Sequence, residues 1–509
     1  MRICFVYGAN ENLGVEYLSG VLKNSGHETT LAFDPLLFDE IFFKLPLLSN
    51  LLSYKSNLIQ EVLDFMPDLV AFSVITETYQ WASQIATEIK KEMNVPIVFG
   101  GVHPTLVPDR VINNPNVDIL CLGEGEYAML DLANRMEDGG IKDAKSIPNL
   151  WVKCNGEVYR NQIRSNIQDL NVLPFPDKDI YYEKASCFEN EYTIMASRGC
   201  PYNCTFCTNY SLRTIYKDKG KYLRMRDVDN VIQELVGAKE IYKFKRVSFY
   251  DDMFTFNKQW ILDFCNKYKE KIDLPFRCII HPVRVDRDIL SALKMAGCIN
   301  MEIGVQSMDE ITRMKVLERR ETNEKLKRGL TMIKKSGIDF YIDHILGIPY
   351  EDEKHHIEAA YYYNELRPPL IDVFWLTHYP KTKIVEISKV AGQLSSETIE
   401  RLEDGLGASM KQDGSVAAPK KLYQFQYLLG YLPLLPRKVV NLIIRKKWYR
   451  FFSYPSIFLS TILPRILHSI FWNDFRLRSL MLRHFYFSYW VLYRKIRKLL
   501  KTKKRPADV

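Results

Sequence analysis

Residues 192–207 read Tyr-Thr-Ile-Met-Ala-Ser-Arg-Gly-Cys-Pro-Tyr-Asn-Cys-Thr-Phe-Cys, a short strand pattern that runs directly into three closely spaced cysteines. Cys200, Cys204 and Cys207 lie within eight residues, and the proline and asparagine between them favour a loop that folds around one centre. Soft thiolates select zinc, copper(I) or iron–sulfur clusters. A structural zinc site takes four protein ligands, usually as two separated pairs, and no second pair lies nearby in the sequence. Three cysteines on a four-iron cluster would instead leave one iron open to substrate.

The other cysteines and the start of the chain bear on this choice. Residues Met1–Tyr7 read as a strand rather than as a signal peptide, so we expect a reducing cytoplasm without disulfides. The clustered cysteines therefore indicate an iron–sulfur cluster, with zinc or chance as the alternatives. Seven further cysteines lie mostly in apolar runs, where we expect small buried side chains: Cys4, Cys121, Cys154, Cys187, Cys265, Cys278 and Cys298.

The cysteine run also resembles a known signature. Ser197–Cys207 is similar to the motif of the radical S-adenosylmethionine enzymes, including the aromatic Phe206 before the third cysteine. The resemblance implies a [4Fe-4S] cluster on Cys200, Cys204 and Cys207, whose open iron binds S-adenosylmethionine. It also implies that one electron, from a donor such as flavodoxin or ferredoxin, cleaves this cofactor to methionine and a 5′-deoxyadenosyl radical that removes a substrate hydrogen.

Strand and helix patterns alternate through residues 192–377. This alternation indicates an open six-stranded (β/α)6 barrel in a domain of residues 191–400, with its chemistry at the carboxyl ends of the strands. The cysteines follow the first strand, as this architecture requires. The predicted strands are Tyr192–Ala196, Arg246–Tyr250, Arg277–Ile280, Asn300–Val305, Asp339–Ile345 and Asp372–Thr377, and the predicted helices are Asp227–Tyr242, Gln259–Lys271, Asp286–Ala296, Asn323–Lys335 and Asp352–Leu366.

Polar residues stand at the ends of these strands. Asp251 and Asp252 follow the second strand, where the family places groups that hold the amino group of S-adenosylmethionine. A protonated amine needs acceptors, which both carboxylates supply. A helix N-cap is the alternative role, and the sequence leaves open which aspartate takes which.

Residues 302–307 match the Glu-x-Gly-x-Gln-Ser pattern that the family carries on its fourth strand. Alternation places Glu302, Gly304 and Gln306 on one face, the barrel interior, where a carboxylate is costly unless it is paired. The resemblance implies that Arg319 or Arg320 reaches the carboxylate of S-adenosylmethionine. The residues assigned by resemblance to this cofactor are Phe206, Asp251, Asp252, Glu302, Gln306, Ser307, Arg319 and Gly347.

Two later strand ends leave alternatives open. Gly347, within Ile345–Pro349, resembles a backbone segment that lies along the adenine, although a plain strand-to-helix turn is the alternative. His378 and Tyr379 end the sixth strand and are candidates for the substrate cavity, with solvent exposure as the alternative for His378. No residue is assigned to the reaction itself.

Residues 1–150 also alternate strand and helix, which predicts a doubly wound parallel sheet. Ligands of such sheets bind at the carboxyl ends of the strands, where glycine lets the backbone approach a bulky ligand. The predicted strands are Arg2–Tyr7, Thr29–Phe33, Leu69–Ile75, Ile97–Phe99 and Ile119–Leu122, and the clearest helices are Val15–Asn24 and Tyr79–Met93.

This first domain resembles the cobalamin-binding domain of one large subclass of the family, which includes class B methyltransferases and anaerobic porphyrin cyclases. The Asp-x-His-x-x-Gly motif that supplies a cobalt ligand elsewhere is absent, since the turn at residues 8–14 has no histidine. We therefore expect cobalt without a histidine ligand, and His103 in a turn-shaping or cofactor-contacting role. The residues assigned by resemblance to cobalamin are Ser73, Gly100, Gly101, His103, Gly123, Glu124 and Gly125.

The rest of the chain is a connector and a basic tail. Residues 151–190 are interpreted as a linker because residues 170–177 are proline-rich. Residues 401–509 are expected to be mainly helical, and residues 437–509 hold 18 Lys or Arg against 2 Asp or Glu. Their aromatic residues suit an anionic membrane surface, and a helical cap on the barrel is an equal alternative. No spanning helix of roughly 20 apolar residues is predicted, and no nucleic-acid-binding module accompanies the charge.

The domain order implies a reaction class. The best-populated chemistry in this subclass is cobalamin-dependent methylation of an unactivated carbon, with radical cyclisation or rearrangement as the alternative. An oxidoreductase with a non-functional cobalamin domain is a further alternative. The substrate is expected to be a small molecule, or lipid-like if the tail lies on a membrane, and the enzyme to be cytoplasmic or membrane-associated.

Overall fold

The computed structural model describes residues 1–40, 43–44, 46–406, 420–456, 458–472 and 475–502. A mainly parallel sheet and a fully parallel sheet, each covered by helices, occupy residues 2–160 and 192–375, and a helical region follows. The strands are β1 (Arg2–Gly8), β2 (Glu28–Asp34), β3 (Leu69–Ser73), β4 (Ile97–Gly100), β5 (Ile119–Cys121), β6 (Leu150–Cys154), β7 (Glu157–Arg160), β8 (Tyr192–Ile194), β9 (Val247–Phe249), β10 (Phe276–Ile280), β11 (Cys298–Gln306), β12 (Asp339–Leu346) and β13 (Leu370–Trp375).

The first sheet has the strand order β2-β1-β3-β4-β5-β6-β7. Its first five strands are parallel, and β6 and β7 add antiparallel to β5. Helices on both faces bury the sheet, so β1 reads as a continuous apolar run in which Ile3–Val6 are at most 1% exposed. The helices of this region are α1 (Leu13–Asn24), α2 (Pro46–Leu51), α3 (Lys55–Phe65), α4 (Tyr79–Glu92), α5 (Val102–Leu106), α6 (Pro108–Ile112) and α7 (Glu126–Gly139).

The hairpin of β6 and β7 lies in the segment that we interpreted as a linker. Asn155 and Gly156 form its two-residue turn, both with positive φ, as a type I′ hairpin requires. This Asn-Gly pair is the sequence signal that identifies the hairpin. We therefore propose the domain boundary after Arg160 rather than at residue 150, with a shorter connector that includes α8 (Asp179–Tyr182).

The second sheet is the six-stranded barrel that the sequence predicts. Its order β8-β9-β10-β11-β12-β13 follows the chain, all neighbours are parallel, and β13 does not pair with β8 among the described residues, so the barrel is open. Polar caps begin several of its helices, as Asn257 does for α11 and Asp286 for α12. The helices are α9 (Thr208–Ile215), α10 (Val228–Ile241), α11 (Lys258–Lys271), α12 (Arg287–Met295), α13 (Asn323–Ser336), α14 (Glu353–Leu366), α15 (Lys383–Val390) and α16 (Ser396–Glu403).

The C-terminal helices pack on both domains. α17 (Tyr423–Tyr431) and α18 (Arg437–Arg445) lie against α14 of the barrel, followed by α19 (Leu463–Trp472) and α20 (Phe475–Thr502). α20 returns to the first domain, where Phe487 and Val491 join its core. Within the described residues, none of the helices combines the length and apolarity needed to cross a bilayer.

Candidate functional site

The first candidate site is a cavity of about 200 Å³ at the carboxyl ends of the first sheet. Glycine is required there by geometry: Gly101 has a φ of +99°, and a Cβ on it would lie 2.7 Å from the carbonyl oxygen of Val74. Six residues that resemblance assigns to cobalamin line this one cavity, namely Ser73, Gly100, Gly101, Gly123, Glu124 and Gly125. Because a side chain would fill this cradle, the glycines let the backbone approach one face of a bulky planar cofactor closely.

His103 does not line this cavity. It is fully buried, with Nδ1 3.2 Å from the Thr76 hydroxyl and its ring 4.6 Å from that of Tyr79. Burial lowers the pKa of His103 to about 4, so the imidazole is neutral. His103 lies within α5, and the structure does not bring its side chain to the other six residues.

Acidic residues of the same cavity wall bond to the barrel, which the sequence did not indicate. Glu126 accepts from Arg198 at 2.5 Å, and Glu124 lies 3.2 Å from Arg198 and 2.9 Å from Arg224. Although burial opposes ionisation of Glu126, the Arg198 guanidinium holds its pKa below the usual value. Glu124 therefore has a protein partner in addition to its proposed role at the cofactor.

The second candidate site begins at the cysteine loop, residues 200–207. Gly199 enters the loop with a φ of +85°, and a Cβ there would lie 2.5 Å from the carbonyl oxygen of Tyr222. Thr205 anchors the middle of the loop, because its amide donates to Leu317 at 3.1 Å and its hydroxyl donates to Val316 at 2.7 Å. Cys207 occupies the N-cap position of α9. The backbone of this loop is thus fixed while the three thiols stay partly exposed.

The donor set fits a cluster. Cys200, Cys204 and Cys207 are free of disulfides, and the Cys207 sulfur accepts from Asn209 at 3.6 Å. Burial raises the pKa of Cys200 to about 12 and of Cys204 to about 11, so metal binding must displace the thiol protons. Among the described residues no three His, Cys, Asp or Glu side chains are arranged to hold a single metal ion. A four-iron cluster does not require that arrangement, because each cysteine binds a different iron.

The two aspartates after β9 have different surroundings. Asp251 is 1% exposed and accepts from the Ala196 amide at 3.1 Å and the Ser197 hydroxyl at 2.5 Å. Burial raises the pKa of Asp251 to about 6. Asp252 is exposed, and its negative charge adds to burial in raising the pKa of Cys200. Neither caps a helix, since Asn257 caps α11.

The interior of the barrel is lined by paired charges. Glu302 lies 3.7 Å from Arg277, and Arg319, 5% exposed, donates to Glu321 at 2.7 Å and to the Gly304 carbonyl at 2.8 Å. Arg320 is exposed, so Arg319 is the one of the two arginines that points into the barrel.

Ser307 is directed away from this interior. It is 1% exposed, donates to Glu351 at 2.5 Å and accepts from the Asp309 amide at 3.1 Å. The contact between this hydroxyl and S-adenosylmethionine stays a prediction, and in the structure the hydroxyl is engaged by Glu351 and the Asp309 amide.

A second cavity, of about 350 Å³, lies between the two domains. Phe206, Cys207 and Gln306 line it from the barrel, whereas Gly347 is not among its lining residues. The first domain contributes Ile75, Thr76, Glu77 and Val102, and the barrel adds Thr208, Asp343, Ile345, Phe374, Trp375, Leu376, Thr377 and Tyr379.

The end of the sixth strand closes this cavity. The Tyr379 hydroxyl donates to Glu77 at 2.8 Å and so joins the two domains across the cavity wall. His378 is fully buried and lies 2.7 Å from the Ser388 hydroxyl, so its solvent-facing alternative is wrong and it is not among the cavity-lining residues. Glu77 had no sequence signal beyond its position after β3.

Comparisons with known proteins match two family models to successive parts of the chain. Residues 194–360 match the model of the Radical SAM superfamily, and residues 5–133 match that of the B12 binding domain. An uncharacterized methyltransferase of Pyrococcus horikoshii is 27% identical over 380 residues, which are 74% of this chain and 77% of that protein. The anaerobic magnesium-protoporphyrin IX monomethyl ester cyclase of Rubrivivax gelatinosus is 25% identical over 69% of this chain, which spans 63% of the cyclase.

Solved structures share the fold. The cobalamin-dependent S-adenosylmethionine radical enzyme OxsB, with aqua-cobalamin and S-adenosylmethionine bound, superposes with a TM-score of 0.65 at 16% identity over 99% of this chain and 80% of its own. The radical S-adenosylmethionine methyltransferase TsrM of Kitasatospora setae, with cobalamin and a [4Fe-4S] cluster bound, gives 0.59 at 17% identity over 78% of this chain and 79% of its own.

Proposed function

We propose that this chain, which belongs to the radical S-adenosylmethionine enzymes with an N-terminal B12-binding domain, methylates an unactivated carbon of a small organic substrate. The observation that carries the proposal is the second cavity, which Cys207 lines from the barrel and Ile75, Thr76 and Glu77 line from the cobalamin-binding domain. A substrate there lies between both cofactor sites, as transfer of a methyl group to a carbon radical requires.

The protein residues hold and orient the reactants. When bound, the cluster supplies the electron that cleaves S-adenosylmethionine, and cobalamin supplies the methyl group. Cys200, Cys204 and Cys207 hold the cluster; Asp252 accepts hydrogen bonds from the amino group of S-adenosylmethionine, and Arg319 pairs with its carboxylate. The first domain covers the barrel mouth and keeps water from the radical.

The cavity lining points to a substrate class. Of the described residues that line the cavity, seven have apolar side chains, Glu77 and Asp343 are acidic, and none is lysine or arginine. This electrostatic environment favours a neutral or cationic, mainly apolar substrate over one that carries phosphate or carboxylate groups. A volume of about 350 Å³ is near the lower end for small-molecule sites and favours a compact substrate.

Anaerobic reconstitution with iron, sulfide and hydroxocobalamin tests the proposal. We expect about four irons and one cobalamin per chain, and 5′-deoxyadenosine formation with a flavodoxin or ferredoxin as electron donor. Transfer of label from S-[methyl-²H₃]adenosylmethionine to a neutral apolar substrate would identify methylation. Iron without cobalamin would support the oxidoreductase alternative, and zinc without iron would overturn both.

We also propose that α20 lies on an anionic membrane surface. Leu482, Phe485 and Tyr489 are 69%, 77% and 66% exposed at helical spacing, in a region with the strongest positive charge of the chain. Vesicles of phosphatidylglycerol should sediment the wild type, and replacing these three residues by serine should weaken binding about tenfold or more. Val390→Ser, which removes an 83% exposed valine elsewhere, is the matched control. Absence of the wild type from sedimented anionic vesicles would rule the proposal out.

A further inference from the structure

Buried ion pairs join the wall of the first cavity to the cysteine loop. Arg198 lies two residues before Cys200 and bonds to both Glu124 and Glu126, the acidic residues of the Gly123–Glu126 turn. The side chains of Arg198 and Glu126 are 16% and 6% exposed, so the pair is largely shielded from water. Arg198 also lines the first cavity itself.

A second connection lies on the other side of the cysteine loop. α9 begins directly after Cys207, and Tyr216 at its C-terminal end accepts a hydrogen bond from the Glu124 amide at 2.6 Å. Residues Ser197–Arg198 and Arg224–Met225 form a two-stranded antiparallel ribbon in which Arg224 stands opposite Arg198. Arg224 donates to Glu124 and to the Ile167 carbonyl. The Gly123–Glu126 turn thus bonds to residues that flank the cysteine loop both before and after the cysteines.

Arg198 suits this position because of its shape. The guanidinium directs different nitrogens to two carboxylates, Nη1 to Glu124 and Nη2 to Glu126. Each carboxylate belongs to the turn that supplies two glycines to the first cavity. Ordering the turn therefore orders the entry to the cysteine loop, and ordering the cysteine loop orders the turn.

We propose that Arg198 is a positioning residue that couples the two cofactor sites, so that cluster assembly strengthens cobalamin binding and cobalamin binding strengthens cluster retention. The inference rests on the proposed function, which assigns these cofactors to the two sites. The coupling between the two binding free energies is reciprocal by thermodynamic necessity. Its physical source is that whichever cofactor binds first has already ordered the shared segment for the second.

The test measures binding rather than turnover. The dissociation constant of hydroxocobalamin is determined by anaerobic equilibrium dialysis for full-length protein with the cluster and for the same protein after the cluster is removed. We expect the wild type to bind about tenfold more tightly when the cluster is present. Arg198→Gln should bring the ratio of the two constants close to one, and Arg198→Lys should retain part of it.

The control is another buried interdomain cation. Lys178 bonds to Glu11, Glu16 and Thr193 but contacts neither the Gly123–Glu126 turn nor the cysteine loop, so Lys178→Met should lower stability and keep the ratio. A wild-type ratio of one would overturn the coupling while leaving the proposed function intact. Absence of hydroxocobalamin binding by the cluster-loaded wild type would overturn both the coupling and the proposed function. An unchanged ratio of the two dissociation constants in folded Arg198→Gln would show that Arg198 does not carry the coupling.

Discussion

The two proposed cofactor sites of this molecule differ in composition, because one is formed mainly by backbone and the other mainly by side chains. The proposed cobalamin cavity is shaped by backbone, with Gly101 and Gly123 in positive-φ conformations that leave room where side chains would stand. The barrel site is shaped by polar side chains whose hydrogen-bond partners lie far away in the sequence: Asp251 bonds to Ser197, and Ser307 bonds to Glu351. Six of seven assigned residues meet in the first cavity, whereas several in the barrel bond to protein instead. The position of a site formed by backbone can be predicted from the order of the strands. The arrangement of a site formed by side chains depends on how those side chains pack.

Replacing one cysteine of the loop should produce the largest difference between the two sites, because it should affect iron content and not the ability to bind cobalamin. Cys204→Ala should reduce iron to background and abolish 5′-deoxyadenosine formation, because two thiolates cannot hold the cluster. Hydroxocobalamin should still bind, at the affinity of cluster-free protein. Iron analysis, the absorption spectrum and product chromatography measure this. Cys187→Ala removes a half-buried cysteine outside the loop and should retain both iron and activity; full activity of Cys204→Ala would contradict the cluster assignment.

A single methyl group should disrupt the backbone-built site. Gly101→Ala places a Cβ 2.7 Å from the Val74 carbonyl oxygen at a φ of +99°, so the turn must shift. We expect hydroxocobalamin affinity to fall about tenfold or more, a loss of 1.4 kcal/mol or more, with iron content retained.

Gly26→Ala supplies the comparison for that change. Gly26 also has a positive φ, +88°, but a Cβ there meets nothing within 4 Å. Gly26→Ala should lower the free energy of unfolding by about 1–2 kcal/mol, because alanine is unfavourable in the left-handed backbone conformation. This loss should appear as a small decrease in Tm, with cobalamin binding unchanged. Equal cobalamin affinities for the two variants would show that close approach at Gly101 is not what forms the site.

In the barrel site, substitutions of two residues assigned to S-adenosylmethionine, Asp252 and Ser307, should change its Kd to different extents. Asp252→Asn removes a charged acceptor and should raise the Kd for S-adenosylmethionine about 10- to 150-fold, because hydrogen bonds to charged groups contribute about 1.5–3 kcal/mol. Ser307→Ala should change it less than about threefold, since its hydroxyl bonds to Glu351. Equilibrium dialysis of labelled S-adenosylmethionine against protein with an oxidised cluster measures both; a larger effect at Ser307 would reverse our assignment.

The smallest expected effect concerns the pH dependence of stability. Burial raises the pKa of Asp251 from 3.8 to about 6, so the folded protein holds this proton more tightly than the unfolded chain. The stabilisation is complete below pH 3.8 and is lost as the pH rises through 6. Between pH 5 and pH 8 the wild type should therefore lose about 1.4 kcal/mol in the free energy of unfolding relative to Asp251→Asn. Urea unfolding of cluster-free protein measures this difference, and a gap that does not vary with pH would contradict the shifted pKa.

The sequence predicted the order of the strands because periodicity reports burial directly. The predicted strand Asp339–Ile345 corresponds to β12 (Asp339–Leu346), and the alternation of Glu302, Gly304 and Gln306 appears as three half-buried residues between buried ones. Nothing local indicates that Arg198 pairs with Glu126, 72 residues earlier, or that Tyr379 bonds to Glu77. Such pairs arise when two separately folded sheets meet, and their partners are set by that contact.

The last helix has a consequence for how the protein is made. Phe487 of α20 lies 5.5 Å from Phe33 of β2, and Trp490 lies 4.6 Å from Tyr54 beside α3. During synthesis Phe487 and Trp490 leave the ribosome some 450 residues after Phe33 does, so their part of the packing on β2 is missing for most of translation. At about 5–20 residues per second that interval is roughly 20 to 90 seconds. The domain that is made first is therefore completed last, and a nascent chain that stalls before α20 would expose an aromatic surface for chaperones to bind.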